Sequence, residues 1–190
     1  MSAVQTIKKL PKLLDTDVET QLPWVEAYID AVGDILSHPK YQQLKSFDHH
    51  KPVSCHFHSV FVSFLTFRIS SELGCDAVET ARAAALHDFY LYDWYLTKHD
   101  ELHAWYHPKI ALINSEMYFG KMSETQTDMI LSHMWPLHIK PPKTREGMIL
   151  TMVDKYCTSA DMLKLSKKFL PLYERINREI ENYEDNRNNR

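Results

Sequence analysis

Glycine is scarce in this chain: four residues in 190. No sustained polar–apolar alternation accompanies them, which argues against a sandwich or barrel of tight hairpins. Long apolar runs are missing too, since no uninterrupted stretch reaches about 18 residues, the length a membrane-spanning helix needs. The chain has no basic excess. Its net charge is −3 with histidines neutral, so nothing draws it onto a nucleic-acid polymer or an anionic membrane. The three cysteines, Cys55, Cys75 and Cys157, are odd in number, widely spaced and free of any CxxC pair. They read as reduced, buried thiols. No secretory leader pattern opens the sequence, and a reducing, cytoplasmic compartment is the expectation.

What is present is a globular composition, 44% hydrophobic and 25% charged, long enough for one substantial core. The fold class expected is all-α: a single-domain helical bundle with an N-terminal helical segment over 1–50, a core over 51–165, and a C-terminal helix with a frayed tail over 166–190. Pro23 suits a first helical position, and that helix should stop near Ser37-His38-Pro39. Pro52 to Leu73 reads as a long helix whose aromatic and aliphatic residues cover more than one face, and is therefore central. Gly74 suits its C-terminal cap. Asp76 with Glu79, and Ser123 with Gln126, form capping-box patterns. Phe89–Ala104 fits a loop or lid, with a helix after Pro108 ending near Gly120. Thr144 caps a helix to about Leu165, and Pro171 starts the last one.

Eleven histidines are the anomaly, and their placement matters more than their number. His87-Asp88 closes an Ala-rich helix. His58 lies upstream, and His107, His133 and Asp154 follow. Helical phase puts each on an inward stripe: His58 with Val62, Leu65 and Ile69; Asp88 after Ala81, Ala84 and Ala85; His107 before Ile110, Ala111 and Asn114; His133 after Met129 and Ile130; Asp154 after Leu150 and Thr151. Several ionisable groups on inward stripes are costly unless paired. A shared metal satisfies them together, whereas the plain alternative is a set of separate hydrogen-bonded core residues. His56, two residues from His58, turns away and reads as a bystander. His38, His49, His50 and His99 fall in expected loops and read as solvated. His103 is a pocket candidate, and His138 is either a further ligand or a substrate contact.

The ordered set His58, His87-Asp88, His107, His133, Asp154 resembles the HD-domain superfamily of metal-dependent phosphohydrolases. The likeness covers about residues 50–160. It is carried by His58-Ser59-Val60, by Ala83-Ala84-Ala85-Leu86-His87-Asp88 and by Asp154-Lys155. It implies that His58, His87, Asp88 and Asp154 bind one metal, and that His107 and His133 add a second with Asp88 bridging. Met134 stands where some two-metal members carry an adjacent histidine, and the GYP element of the cyclic-dinucleotide branch is absent. The cofactor expected is one or two divalent transition ions, iron, manganese, nickel, cobalt or zinc. The activity expected is attack by metal-activated hydroxide on a phosphate ester or anhydride of a small phosphorylated metabolite, a nucleotide above all. Asp88 would orient the ions and accept a proton, and Lys155 would contact a phosphate oxygen. Lys109 and Arg145 are weaker phosphate candidates. Tyr90, Tyr92, Trp94, Trp105, Tyr106 and Trp135 could stack a base, though such residues are more often core or lid. Competing expectations are a one-metal nucleotidase, a metal-containing nucleotide sensor without turnover, and a metal-dependent oxygenase.

Overall fold

The structure, a computed structural model, describes residues 15, 17–50, 53–93 and 103–188. It is all-α apart from one small hairpin. In chain order the helices are α1 (Val18–Leu36), α2 (Pro39–Gln42), α3 (Cys55–Leu73), α4 (Ala77–Leu86), α5 (His103–Phe119), α6 (Glu124–Ser132), α7 (Arg145–Met162) and α8 (Leu170–Asn188). Two short antiparallel strands, β1 (Asp48–His50) and β2 (Val53–Ser54), precede α3.

Helix α3 forms the centre. Fourteen of its 19 residues are buried, which only a helix enclosed on nearly all sides allows. One part of the core gathers Tyr28 and Ile35 of α1, Phe61 and Phe64 of α3, Leu86 and Ile176. A second gathers Val62 and Leu65, Ala83 and Ala84 of α4, Met129 of α6, and Leu150 and Val153 of α7. Each large apolar side chain so buried contributes about 1.5–3 kcal/mol of transfer free energy. The alanines of α4 keep its backbone close enough to α3 for Ser63 Oγ to donate to the Ala81 carbonyl at 2.8 Å.

The boundaries follow local chemistry. Gly74 ends α3 at φ 70, a left-handed conformation that costs a Cβ-bearing residue more. Asp76 caps α4 by accepting from Glu79 N–H, and Ser123 and Gln126 form a reciprocal capping box on α6. Thr144 caps α7. Asp128 Oδ2 accepts from the backbone N–H of Lys143 and Thr144 at 2.8 and 3.2 Å, which ties the start of α7 to α6.

Three expectations need correction. Helix α1 begins at Val18, five residues before Pro23, because Asp17 accepts from Thr20 N–H and caps it. Pro23 lies inside and forfeits one helical hydrogen bond. Likewise α5 begins at His103, so Pro108 lies within it rather than at its start. The third concerns 52–54: α3 starts at Cys55, and Val53–Ser54 pair with Asp48–His50. Residues 94–102, most of the expected lid and including Trp94 and His99, lie outside the described residues.

Candidate metal centre

Five helices and the hairpin deliver the site. His58 sits one turn into α3. His87 caps the C-terminal end of α4 in helical conformation (φ −59, ψ −31), with Asp88 next. His107 comes from α5, His133 caps α6 in the same manner as His87 (φ −57, ψ −27), and Asp154 is midway along α7. All six are buried, and the structure brings them together. His58 Nε2 is 3.1 Å and His87 Nε2 3.8 Å from Asp154 Oδ1. His107 Nε2 and His133 Nε2 are 3.2 and 3.6 Å from Asp88 Oδ1, and His87 Nε2 is 3.5 Å from Asp88 Oδ2.

Two more residues belong here that sequence patterning did not select. His49 on β1 is not solvated. Its ring stacks on that of His58 at 3.7 Å and 15°, and its Nε2 is 3.5 Å from Asp88 Oδ2. Asp161, two turns beyond Asp154 on α7, places Oδ2 at 3.0 Å from His58 Nδ1. The seven-residue spacing of Asp154 and Asp161 puts both on one helix face, a signal the sequence contains. The signal for His49 is weaker, because only the hairpin turns it inward.

Electrostatics separate the histidines. Burial works against charge on His58, but hydrogen bonds to Asp154 and Asp161 outweigh it and raise its pKa to about 10. His87 is raised too, burial being overcome by the charges of Asp88 and Asp154. His133 goes the other way: burial, and then the positive fields of His87 and His107, lower it to about 3. For Asp88 and Asp154 burial favours the neutral acid, yet the surrounding histidines hold both well below the usual carboxylate range.

The donor set fits a divalent cation. Ligand atoms of His58, His87 and Asp154 lie within 4.8 Å of one another, as do those of His87, Asp88 and His133, and of His49, His58 and Asp88. His87 Nδ1 and His133 Nδ1 are 2.8 Å from the carbonyls of Ala84 and Ile130. Each carbonyl fixes the N–H on Nδ1 and turns an Nε2 lone pair inward, as metal-ligating histidines require. His107 Nε2 and His133 Nε2 are 2.9 Å apart, close to the ~3 Å expected of neighbouring nitrogens on one ion at metal–nitrogen distances of about 2.1 Å. His87 Nε2 and Asp88 Oδ1 are buried without a hydrogen bond, a cost that coordination would remove. The cluster is thus compatible with an HD-type metal site and could hold an ion.

The remaining candidates are placed as follows. His56 is buried with Nδ1 2.8 Å from Tyr173 Oη, away from the cluster. His38 is partly buried, accepts from Lys40 N–H and packs on Phe119. Lys155 Nζ donates to the His133 carbonyl at 3.0 Å. Arg145 donates to the Leu73 carbonyl. Tyr90 is core, its hydroxyl 3.0 Å from Cys55 Sγ. The His138 ring lies 4.6 Å from that of Trp105, tilted at 37°, and the two flank a groove of 1300 Å³ that also includes Lys109 and Lys140. The cysteines are free thiols, Cys55 and Cys157 buried and Cys75 partly so. Among the described residues no helix is long and apolar enough to cross a membrane. Comparison with protein-family models, with curated proteins and with solved structures found no match.

Proposed function

We propose that this protein is a metal-dependent phosphohydrolase of the HD type, acting on the phosphate ester or anhydride of a small phosphorylated metabolite, a nucleotide by preference. One observation carries the reading: six residues spread over nearly a hundred positions, in HD order, meet in one buried cluster with Asp88 between two pairs of histidines. His58, His87, Asp88 and Asp154 would hold one ion, and His107 and His133 with Asp88 a second. Nitrogen and carboxylate donors suit iron, manganese, cobalt, nickel or zinc. Bound there, such ions supply Lewis acidity toward phosphoryl oxygens and lower the pKa of water to near neutrality.

The residues of the chain set up the rest. Asp88, ionised and buried, would orient the ions and accept the proton of an attacking water. The carbonyls of Ala84 and Ile130 keep His87 and His133 in the tautomer that faces inward. The Lys155 ammonium, engaged by the His133 carbonyl, holds the end of α6 against α7 and so positions His133. Trp105 and His138, whose rings meet at the groove, would offer aromatic faces to a base. The test is phosphate release from a panel of nucleotides and sugar phosphates, with and without added Mn or Fe. Metal-dependent release abolished by Asp88→Ala is the expected result. Silence across the panel by protein carrying its full metal complement would contradict catalysis.

A further inference from the structure

The buried side of α7 carries Asp154 and Asp161. Its opposite side is apolar and uncovered. From Met148 to Leu163 the exposed positions are Met148, Met152, Tyr156, Ser159, Met162 and Leu163, with the half-buried Lys155 at the edge of the same face and the exposed Lys164 just past its end. Their spacing of three, four and seven keeps them on one face, with Met152 59% and Leu163 69% exposed. None of the six is charged. Isolated exposed apolar residues are ordinary, but a contiguous stripe about 23 Å long is the mark of an interaction surface.

The two ends of the stripe differ in shape. At the C-terminal end, Tyr156, Ser159, Ala160, Leu163, Leu165 and Phe169, with Lys168 as the one charged member, surround a groove of 310 Å³. At the N-terminal end, Met148 and Met152 project. We infer that this face is a two-fold interface between copies of this chain, with the two α7 helices packed antiparallel about a point near Tyr156. In that register Met152 of each copy lies over the small Ser159 of the other. Met148, eight residues before Tyr156, meets Leu163, seven residues after it, at the mouth of the partner copy's groove. The projecting end and the hollow end of one chain therefore match when the helix runs antiparallel to itself, which is what an isologous contact demands. Covering the stripe completely on both copies would bury on the order of 1,200 Å² in total, the lower edge of the range of specific interfaces. Flexible thioethers suit such packing.

Sedimentation velocity of the full chain at ~50 µM tests this, a concentration that populates any dimer of micromolar affinity. Wild type is expected at twice the 22.4 kDa chain mass. Met152→Lys is expected at the monomer mass, with circular dichroism and metal content unchanged. Tyr156→Cys in a Cys75→Ser background is expected to oxidise to a cross-linked dimer. A wild-type monomer, a dimer that Met152→Lys leaves intact, or a Tyr156→Cys dimer that does not cross-link would each overturn the inference. None of these outcomes bears on the metal centre, whose residues lie on the other face.

Discussion

His58 Nδ1 and Asp161 Oδ2 lie 3.0 Å apart, on the edge of the imidazole away from the centre of the cluster. This contact decides which nitrogen a metal can use. With Nδ1–H committed to Asp161, Nε2 is the atom that faces Asp154 and the rest of the cluster. A carboxylate on the outer nitrogen of a ligand typically changes metal affinity by ~10–100-fold. Asp161→Ala is therefore expected to weaken binding by about that factor, read by competition against a chelating dye, while saturating metal still fills the site. Unchanged affinity would remove Asp161 from this role.

His49 gives a second test. Its ring covers His58 and its Nε2 faces Asp88. His49→Phe keeps a flat ring over His58 and deletes the nitrogens. Metal affinity is expected to drop by at least ~10-fold with the thermal midpoint little changed. A fall in melting temperature at unchanged affinity would make the residue a packing element only.

The helices were legible because each carries its own start and stop: Asp76, Ser123 and Thr144 as caps, and Gly74 as terminator. The inward placement of His58, His107, His133 and Asp154 followed from helical period alone. The parts that escaped depend on contacts between elements. His49 lies on a two-strand hairpin too short to show a period, and its inward turn depends on pairing across Asp48↔Ser54. Asp161 had a legible phase relation to Asp154, but its carboxylate gains meaning only from an imidazole 103 positions away. Pro23 and Pro108 misplaced two helix starts, because a proline near a helix start marks the first turns without marking which residue is first.

Gly33 shows how tightly the outer layer packs. A Cβ there would come within 2.9 Å of the Tyr183 ring, so α1 and α8 approach over a bare backbone. Gly33→Ala is expected to lower stability by about 1–3 kcal/mol through overpacking, despite alanine's better helix propensity. Denaturant unfolding measures it, and the double variant with Tyr183→Ala should recover part of the loss.

Away from the metal centre, Arg82 clamps Asp34 through two bonds of 2.7 and 2.9 Å, joining α4 to α1. Burial would raise the Asp34 pKa, but the Arg82 hydrogen bonds and charge outweigh it and lower the value. A carboxylate depressed in the folded state contributes stability that is fully present above its unfolded value of about 3.9 and is lost as pH falls through the folded one. The pair is half-exposed, so about 0.5–1 kcal/mol is expected. Asp34→Asn should melt below wild type at neutral pH, and the gap should close in the acid range below pH 4. A gap independent of pH would contradict an ionic origin.

Elemental analysis of protein purified without chelators is the most direct measurement. Wild type is expected to carry about two transition ions per chain, His133→Ala about one, and Asp88→Ala none, each with helical circular dichroism retained. Wild-type protein that stays metal-free after incubation with manganese, iron and zinc, its fold intact, would contradict the claim that these histidines and aspartates form a metal centre.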